Sequence, residues 1–554
     1  MKIDFKKLIF YYLIISVLTL LVLLPDIVFF IKNDVVNYAV SGFFIVQALL
    51  FIPVAIFSRR LKIYYWILAI IVGLTPIMLF SVFYMNIQVN AEMIGLVMDT
   101  SISEVTELLG WKIPLVIIAM VFFSWGFLKI SSYLPDKISW KHGIIVSLIG
   151  IFAFGMLPFI RTRKLEYYYT VIRNTYRTFY PFRLGTTFSL IYSEMGNMKR
   201  YKQDTRNFSY HAVNTDTTDS SRKIIVMVIG EASRGDHWAI NGYKRNTSPG
   251  ISSLSNLVSF KHVSSGGTMT ILSVPQLITR ATPENYKLHT REKSILAAYK
   301  EAGFYTAWIS NQSHYGLTGS IGMHFTDGDT AIYSGHGENE TNFTGQYDET
   351  IFPILNNVID THPDKNIFII LHLIGSHWRY ILRYPPNFQK FEPTSDRNHT
   401  LVTRPSKDRI INEYDNSILY TDHILTTLAG ILSKADGENG FLYVSDHGEN
   451  LDDNNDGLYF HSYKPTKATA TVPIFTWFND RYMAKNGEVF NSLKSNEEKM
   501  VNSAVNVFYT LIDMGKLNIT GFDSTASLTR PSFISPPQNI LGDQGKIYYY
   551  KDLK

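Results

Sequence analysis

Apolar residues are spread unevenly along the chain, and their spacing divides it into three stretches. In the first, five apolar segments stand out: Leu8–Leu24, Tyr38–Phe57, Ile63–Met85, Ile113–Ile130 and Ile144–Ile160. Each approaches or exceeds the roughly 17–25 residues an α-helix needs to cross about 30 Å of hydrocarbon. Lipid offers no partner to an unpaired backbone amide, so these segments are predicted as helices. Lys2, Lys6 and Lys7 give the first segment the look of a signal peptide. No small-residue cleavage site follows Leu24, where the text reads PDIVFFIKND, so an uncleaved membrane helix is expected.

Loop charges set the expected orientation. Lys2, Lys6, Lys7, Arg59, Arg60, Lys62, Lys137 and Lys141 fall on one side, whereas Asp34, Glu92, Asp99, Glu104 and Glu107 fall on the other. Cytoplasmic loops collect lysine and arginine, which puts the amino terminus inside and, after five crossings, the remainder outside. Arg161, Arg163 and Lys164 run against this pattern, but long translocated domains obey the charge rule weakly.

The second stretch, Leu165 to about Met198, mixes Tyr, Phe and Arg without a full crossing length. That composition suits helices lying in the headgroup region, and equally an aromatic packing surface between domains. Polar residues from Tyr201 to Arg222 then read as a linker. Expected boundaries are 1–164 for the transmembrane domain, 165–222 for interfacial helices and linker, and 223–554 for a catalytic domain.

In the third stretch, short apolar runs alternate with helical patterns. KIIVMVIG, FYTAWIS, NIFIILHLIG, FLYVS and ATVPIFTWF are rich in Ile, Val and Phe, as strands covered on both faces are. Their alternation with helices predicts an α/β layered sheet. No internal repeat or low-complexity tract is evident.

Composition narrows the chemistry. A net charge of +5 over 554 residues, with no long basic run, argues against nucleic acid as a partner. The chain has no cysteine, so disulfides and thiolate metal ligands are excluded. Any metal site must use His, Asp, Glu and hydroxyl oxygens.

Residues of those types sit just past the strands, where open α/β sheets place their functional crevice. Glu231 follows KIIVMVIG, Asp446 and His447 follow FLYVS, and His377 follows NIFIILHLIG by one short turn. Such a donor set suits zinc, with manganese second. Each residue also has a plain reading: Glu231 as a first-turn acid favoured by the helix dipole, and Asp446-His447 as a chance neighbour pair. In SSGGTMTILSVP, Thr268 follows two glycines and precedes a predicted helix, a setting that brings backbone amides close to a phosphoryl group. It is a candidate nucleophile, its pKa lowered by the metal, or an ordinary N-cap threonine.

At this point VMVIGEASRGDHWAINGYKRNTSP, GGTMTILSVP, LHLIGSHWRYILRYP, SDHGEN and LYFHS together resemble the bacterial phosphoethanolamine transferases. Within that family the core-lipopolysaccharide enzymes look most similar. The resemblance covers essentially the whole chain. It implies five transmembrane helices in the inner membrane, a cytoplasmic amino terminus, and a periplasmic domain with the mixed central sheet of alkaline phosphatases and sulfatases. It further implies Zn2+ held by Glu231, Thr268, Asp446 and His447. Thr268 would become phosphoethanolamine-modified, and His377 and His461 would serve substrate or a second zinc. Thr100 and Glu104 would bind the phosphatidylethanolamine donor. The family often has Asn four positions before that threonine, where this chain has Leu96. The implied reaction moves phosphoethanolamine to lipopolysaccharide, core or lipid A, and releases diacylglycerol.

Rival readings are a phosphoglycerol transferase using phosphatidylglycerol, a related membrane phosphodiesterase, and a lipid receptor without turnover. A sulfatase activity needs Cys or Ser in C/S-x-P-x-R, whereas here Ser273-Val274-Pro275-Gln276 runs into Leu277.

Overall fold

A computed structural model describes residues 5–32, 50–85, 112–161, 179–180, 182–216, 221–312, 321–334, 347–397, 406–453, 455, 458–461, 464–542 and 545–554. The chain divides into two compact units, residues 1–193 with 400–403, and residues 194–399 with 404–554.

In the first unit the apolar segments form helices α1 (Phe5–Lys32), α2 (Leu61–Met85), α3 (Lys112–Ser131) and α4 (Trp140–Arg161). Among the described residues, two stretches are long and apolar enough to cross a membrane: Leu61–Phe80 of α2 and Pro114–Ser131 of α3. Leu20–Phe29 in α1 and Trp140–Phe152 in α4 are shorter apolar stretches. Of the expected span Tyr38–Phe57, residues 38–49 lie outside the described residues, as do Thr100 and Glu104.

Small residues bring α2 and α3 together. A Cβ on Gly73 would clash with Ser124 Oγ, and that hydroxyl donates to the Ala69 carbonyl at 3.0 Å. Elsewhere α3 exposes Ile118, Val121, Phe122 and Trp125, a face suited to lipid. Asp26, inside α1, is buried and pairs with Arg183 at 3.0 Å while accepting the Tyr180 amide at 2.8 Å. A carboxylate removed from water needs such partners. The pair ties α1 to the start of helix α5 (Phe182–Asp204), within which the division between the units falls.

The second unit is built on a seven-stranded sheet. In chain order its strands are β1 (Lys223–Gly230), β2 (Leu257–Phe260), β3 (Tyr305–Ser310), β4 (Thr330–Tyr333), β5 (Ile367–His372), β6 (Glu438–Ser445) and β7 (Ile474–Phe478). Across the sheet the order is β2-β7-β6-β1-β5-β3-β4. β1 runs parallel to both β5 and β6, and β7 alone is antiparallel to its neighbours. The sheet is thus mixed, as expected.

Every residue of β1, β5 and β6 is buried because helices cover both faces. On one face Ile225, Met227, Ile229, Phe368 and Ile370 pack with helices α6 (Thr270–Ile278), α7 (Ile295–Glu301) and, further along the chain, α10 (Ser503–Met514). On the other, Ile224, Val226, Val228, Ile369 and Leu371 pack with α8 (Ile351–Thr361) and α9 (Lys407–Lys434). Double coverage explains the unbroken apolar runs.

Part of the expected linker is instead built into this unit. Tyr201 and Thr205 are buried at the end of α5, Tyr210 is buried, and Val213–Asn214 pairs with Leu517–Asn518. The aromatic residues within the polar stretch supply the apolar area that docks it.

Candidate metal centre

Glu231 directly follows the central strand β1, and its main chain is fixed from two sides. Its carbonyl accepts the Ser376 amide at 3.0 Å, and Gly375 packs so closely that a Cβ would lie 2.9 Å from the Glu231 N and O. Gly375 also has φ +48°, a conformation few side chains tolerate. The turn carrying Gly375 is held by Asp348, which accepts the amides of Ile374 at 2.8 Å and Gly375 at 3.0 Å.

Asp446 and His447 leave the end of β6, the neighbour of β1. Asp446 Oδ1 accepts the amides of Ala232 at 3.1 Å and His447 at 2.7 Å. His447 Nδ1 donates to the Gly448 carbonyl at 2.8 Å, which turns Nε2 inward. That Nε2 lies 3.3 Å from Glu231 Oε1 and 3.4 Å from Asp446 Oδ2. One ligand atom from each of the three residues falls within 4.8 Å of the others, and all three side chains are buried.

Two further groups touch this triad, and both escaped the sequence reading. Gln312 Nε2 donates to Glu231 Oε2 at 3.0 Å and to the Leu373 carbonyl at 2.9 Å. Thr270 Oγ1 donates to Glu231 Oε2 at 3.1 Å and sits 3.4 Å from His447 Nε2. The sequence reading gave the nucleophile's place to Thr268, which is buried two residues earlier. Thr270, the first residue of α6, is the threonine whose hydroxyl contacts with Glu231 and His447 are seen. Spacing alone could have kept both: Met269 between them is extended (φ −148°, ψ 146°), and alternate residues of an extended segment share a side.

The glycine pair also has a packing role. A Cβ on Gly266 would clash with Ala504, and one on Gly267 would lie 2.9 Å from Leu272 Cβ. These glycines admit close packing of the turn against α10 and α6.

His461 and His377 stand around the triad. The rings of His447 and His461 are 4.1 Å apart, and His461 Nδ1 faces the buried Glu449 carboxylate at 3.3 Å. His377 Nδ1 donates to the Trp378 carbonyl at 2.7 Å. Among the described residues, no hydrogen bond is made by Nε2 of either ring.

Electrostatics mark the triad as a cation site. Burial alone would raise the Glu231 pKa, but the hydrogen bond and charge of His447, helped by His377 and His461, hold it well below the usual carboxylate range. Burial, together with the Glu231 charge, pushes Asp446 up to about 7. Burial pulls on His447 in the opposite sense, but Asp446 and Glu231 outweigh it and raise the imidazole to about 10. Without a cation the cluster must therefore hold protons. Glu231 Oε1 and Asp446 Oδ2 are buried and, apart from His447 Nε2 at 3.3 and 3.4 Å, have no hydrogen-bond partner. Two buried carboxylate oxygens and an imidazole Nε2 that becomes a ligand once its proton is displaced fit a divalent ion of the zinc class.

Comparison with known proteins agrees with this arrangement. Residues 223–516 match the profile of the Sulfatase family. The phosphoethanolamine transferase EptC of Escherichia coli K12 is 25% identical over 506 residues, covering 88% of this chain and 86% of that protein. The phosphoethanolamine transferase EptA of Salmonella typhimurium is 30% identical over 324 residues, 56% of each chain. Among solved structures, the C-terminal periplasmic domain of Escherichia coli EptC in complex with Zn superposes with a TM-score of 0.54 at 25% identity, covering 62% of this chain and 96% of that one. The integral membrane protein EptA of Neisseria meningitidis shares the fold over 93% of this chain and 97% of its own, with a TM-score of 0.51 at 22% identity.

Proposed function

The chain belongs to the sulfatase family, and from that premise we propose that it transfers phosphoethanolamine from phosphatidylethanolamine to lipopolysaccharide, core or lipid A. Two supports carry this reading. The relatives that span most of the chain bear the name phosphoethanolamine transferase. The deciding observation is the Thr270 hydroxyl at the start of α6, hydrogen-bonded to a buried two-carboxylate and imidazole cluster.

The residues divide the work as follows. Glu231, Asp446 and His447, with a threonine hydroxyl, would hold zinc. When bound, the ion supplies positive charge to the non-bridging phosphoryl oxygens and lowers the hydroxyl pKa. Thr270 directs its proton at Glu231 Oε2, which leaves the oxygen's lone pairs for phosphorus. In the first half-reaction the Thr270 oxygen forms a bond to phosphorus, and the bond to the diacylglycerol oxygen breaks. Diacylglycerol leaves with a proton, for which His377 or His461 is the donor. In the second, an acceptor oxygen attacks phosphorus and gives its proton to the histidine left neutral by the first step, the bond to Thr270 breaks, and the Thr270 oxygen takes back the proton it had passed to Glu231 Oε2. The first-turn amides of α6 favour the phosphoryl negative charge throughout.

The proposal extends to the membrane. Five crossings, with the amino terminus in the cytoplasm and the catalytic unit in the periplasm, would keep the centre beside a lipid donor that does not enter bulk water. Thr100 and Glu104 are proposed donor contacts, and His377 with His461 is the proposed place for any second zinc.

The test is the mass and position of the covalent adduct. Full-length protein incubated with phosphatidylethanolamine is expected to carry phosphoethanolamine on Thr270. Thr270→Ala should abolish both adduct and diacylglycerol release. An adduct on Thr268 would restore the sequence assignment of the nucleophile. An adduct formed only with phosphatidylglycerol would replace this function with phosphoglycerol transfer.

A further inference from the structure

The end of α5 presents two faces whose chemistry differs sharply. On one, Tyr201 and Thr205, four residues apart, are buried against the second unit. The Tyr201 hydroxyl donates to Asp327 at 2.8 Å and lies 3.0 Å from His324 Nδ1, so the helix cannot rotate without breaking a buried polar network. On the other face Lys199, Lys202 and Arg206 are exposed. Lys199 and Lys202 lie about one turn apart on α5, and Arg206 follows two residues past its end at Asp204.

Some cations of the unit are committed to carboxylates. Arg234, Arg245, Arg280, Lys516 and Arg530 each pair with a carboxylate. Among the described residues, no side-chain hydrogen bond or ion pair engages Lys199, Lys202 or Arg206. With Met198 and Gln203 they line a shallow recess of about 420 Å³. The helix dipole favours cations in the last turn, but it is indifferent to the face they occupy. A shared face, a recess and unspent charge together describe a receptor for a compact polyanion.

We propose that the Lys199–Lys202–Arg206 recess binds the phosphate groups of the glycolipid acceptor while its reacting oxygen visits the Thr270 centre. This inference rests on the transfer reaction proposed above. Cationic side chains one helical turn apart, with the Gln203 amide among them, match several phosphates carried on one headgroup.

The experiment uses the full chain in zwitterionic nanodiscs, with labelled phosphatidylethanolamine and either a phosphorylated lipid A acceptor or the same glycolipid after phosphate removal. The variant is Lys199→Gln/Lys202→Gln/Arg206→Gln. Its acceptor KM is expected to rise at least about tenfold for the phosphorylated glycolipid, and the difference should shrink towards 1 M salt. Dephosphorylated acceptor should show a high KM in both proteins. Adduct formation before acceptor is added reports that the protein is folded and loaded. An acceptor KM equal in parent and variant overturns the assignment. So does an effect that follows added anionic phospholipid instead of acceptor phosphate, which would make the recess a membrane contact. Failure of the parent protein to form any adduct would instead sink the proposed function, so the two failures are distinguishable.

Discussion

Metal binding to the triad should be steeply dependent on pH, and the structure sets the slope. In the metal-free protein Asp446 is pushed up to about 7 and His447 to about 10, so both carry protons that zinc must displace. Glu231 remains ionised and adds no dependence near neutrality. Both relevant shifts are upward, so apparent affinity climbs as pH rises through each value. Between pH 6 and 8 the His447 proton contributes about two decades and the Asp446 proton about one, so affinity gains about a thousandfold. Were both groups at their ordinary values of 3.8 and 6.5, the same interval would bring only about a fourfold gain. Metal-stripped protein titrated with zinc against a competing chelator, from pH 6 to 8 at fixed salt, separates these outcomes. Calorimetry in two buffers of different ionisation enthalpy gives an independent count, expected near 1.5 protons released at pH 7. A gain of about fourfold or less, with under half a proton released, would refute the argument that the cluster stores protons in place of the ion.

Three further outcomes follow from other contacts. Gly375→Ala combines a left-handed backbone with a Cβ 2.9 Å from the Glu231 main chain, and should cost about 1–3 kcal/mol; thermal unfolding of the zinc-loaded protein reads it. Gln312→Leu removes the amide that orients Glu231 Oε2 and should weaken zinc binding about 10–100-fold, with the circular dichroism spectrum unchanged. Asp26→Leu deprives buried Arg183 of its carboxylate and should cost about 3–5 kcal/mol, most of it recovered in Asp26→Leu/Arg183→Leu; detergent-induced unfolding of the three proteins compares them.

Five strands of the sheet were legible because each is a short apolar run, whereas the four-residue β2 (LVSF) and β4 (TAIY) are too short to stand out. KIIVMVIG coincides with β1, and the residues just past β1 and β6 are the ones the structure brings together. Legibility failed where the relevant neighbour is distant in sequence. Gly266 owes its lack of a side chain to Ala504, and Asp26 meets a guanidinium 157 positions away. Gln312 carries no sequence signature of metal chemistry, and only its place beyond β3 hints at the crevice. Thr268 and Thr270 are alike in a pattern of residue types. Thr270 is distinguished by the contacts of its hydroxyl with Glu231 and His447, partners far away in sequence. Lys199, Lys202 and Arg206 were absorbed into a helix-and-linker reading, since a shared face has meaning only once Tyr201 has fixed the rotation.

The triad hangs from β1 and β6, and Gly375 braces it from the end of β5, which are three adjoining strands in the middle of the sheet. Main-chain amides there can trade hydrogen for deuterium only when the whole unit opens. Metal-stripped protein is therefore expected to keep a ready-made socket, and loading should need no refolding. Evolution can retune which acceptor is served by altering peripheral surfaces, because the reacting core belongs to the least negotiable part of the architecture.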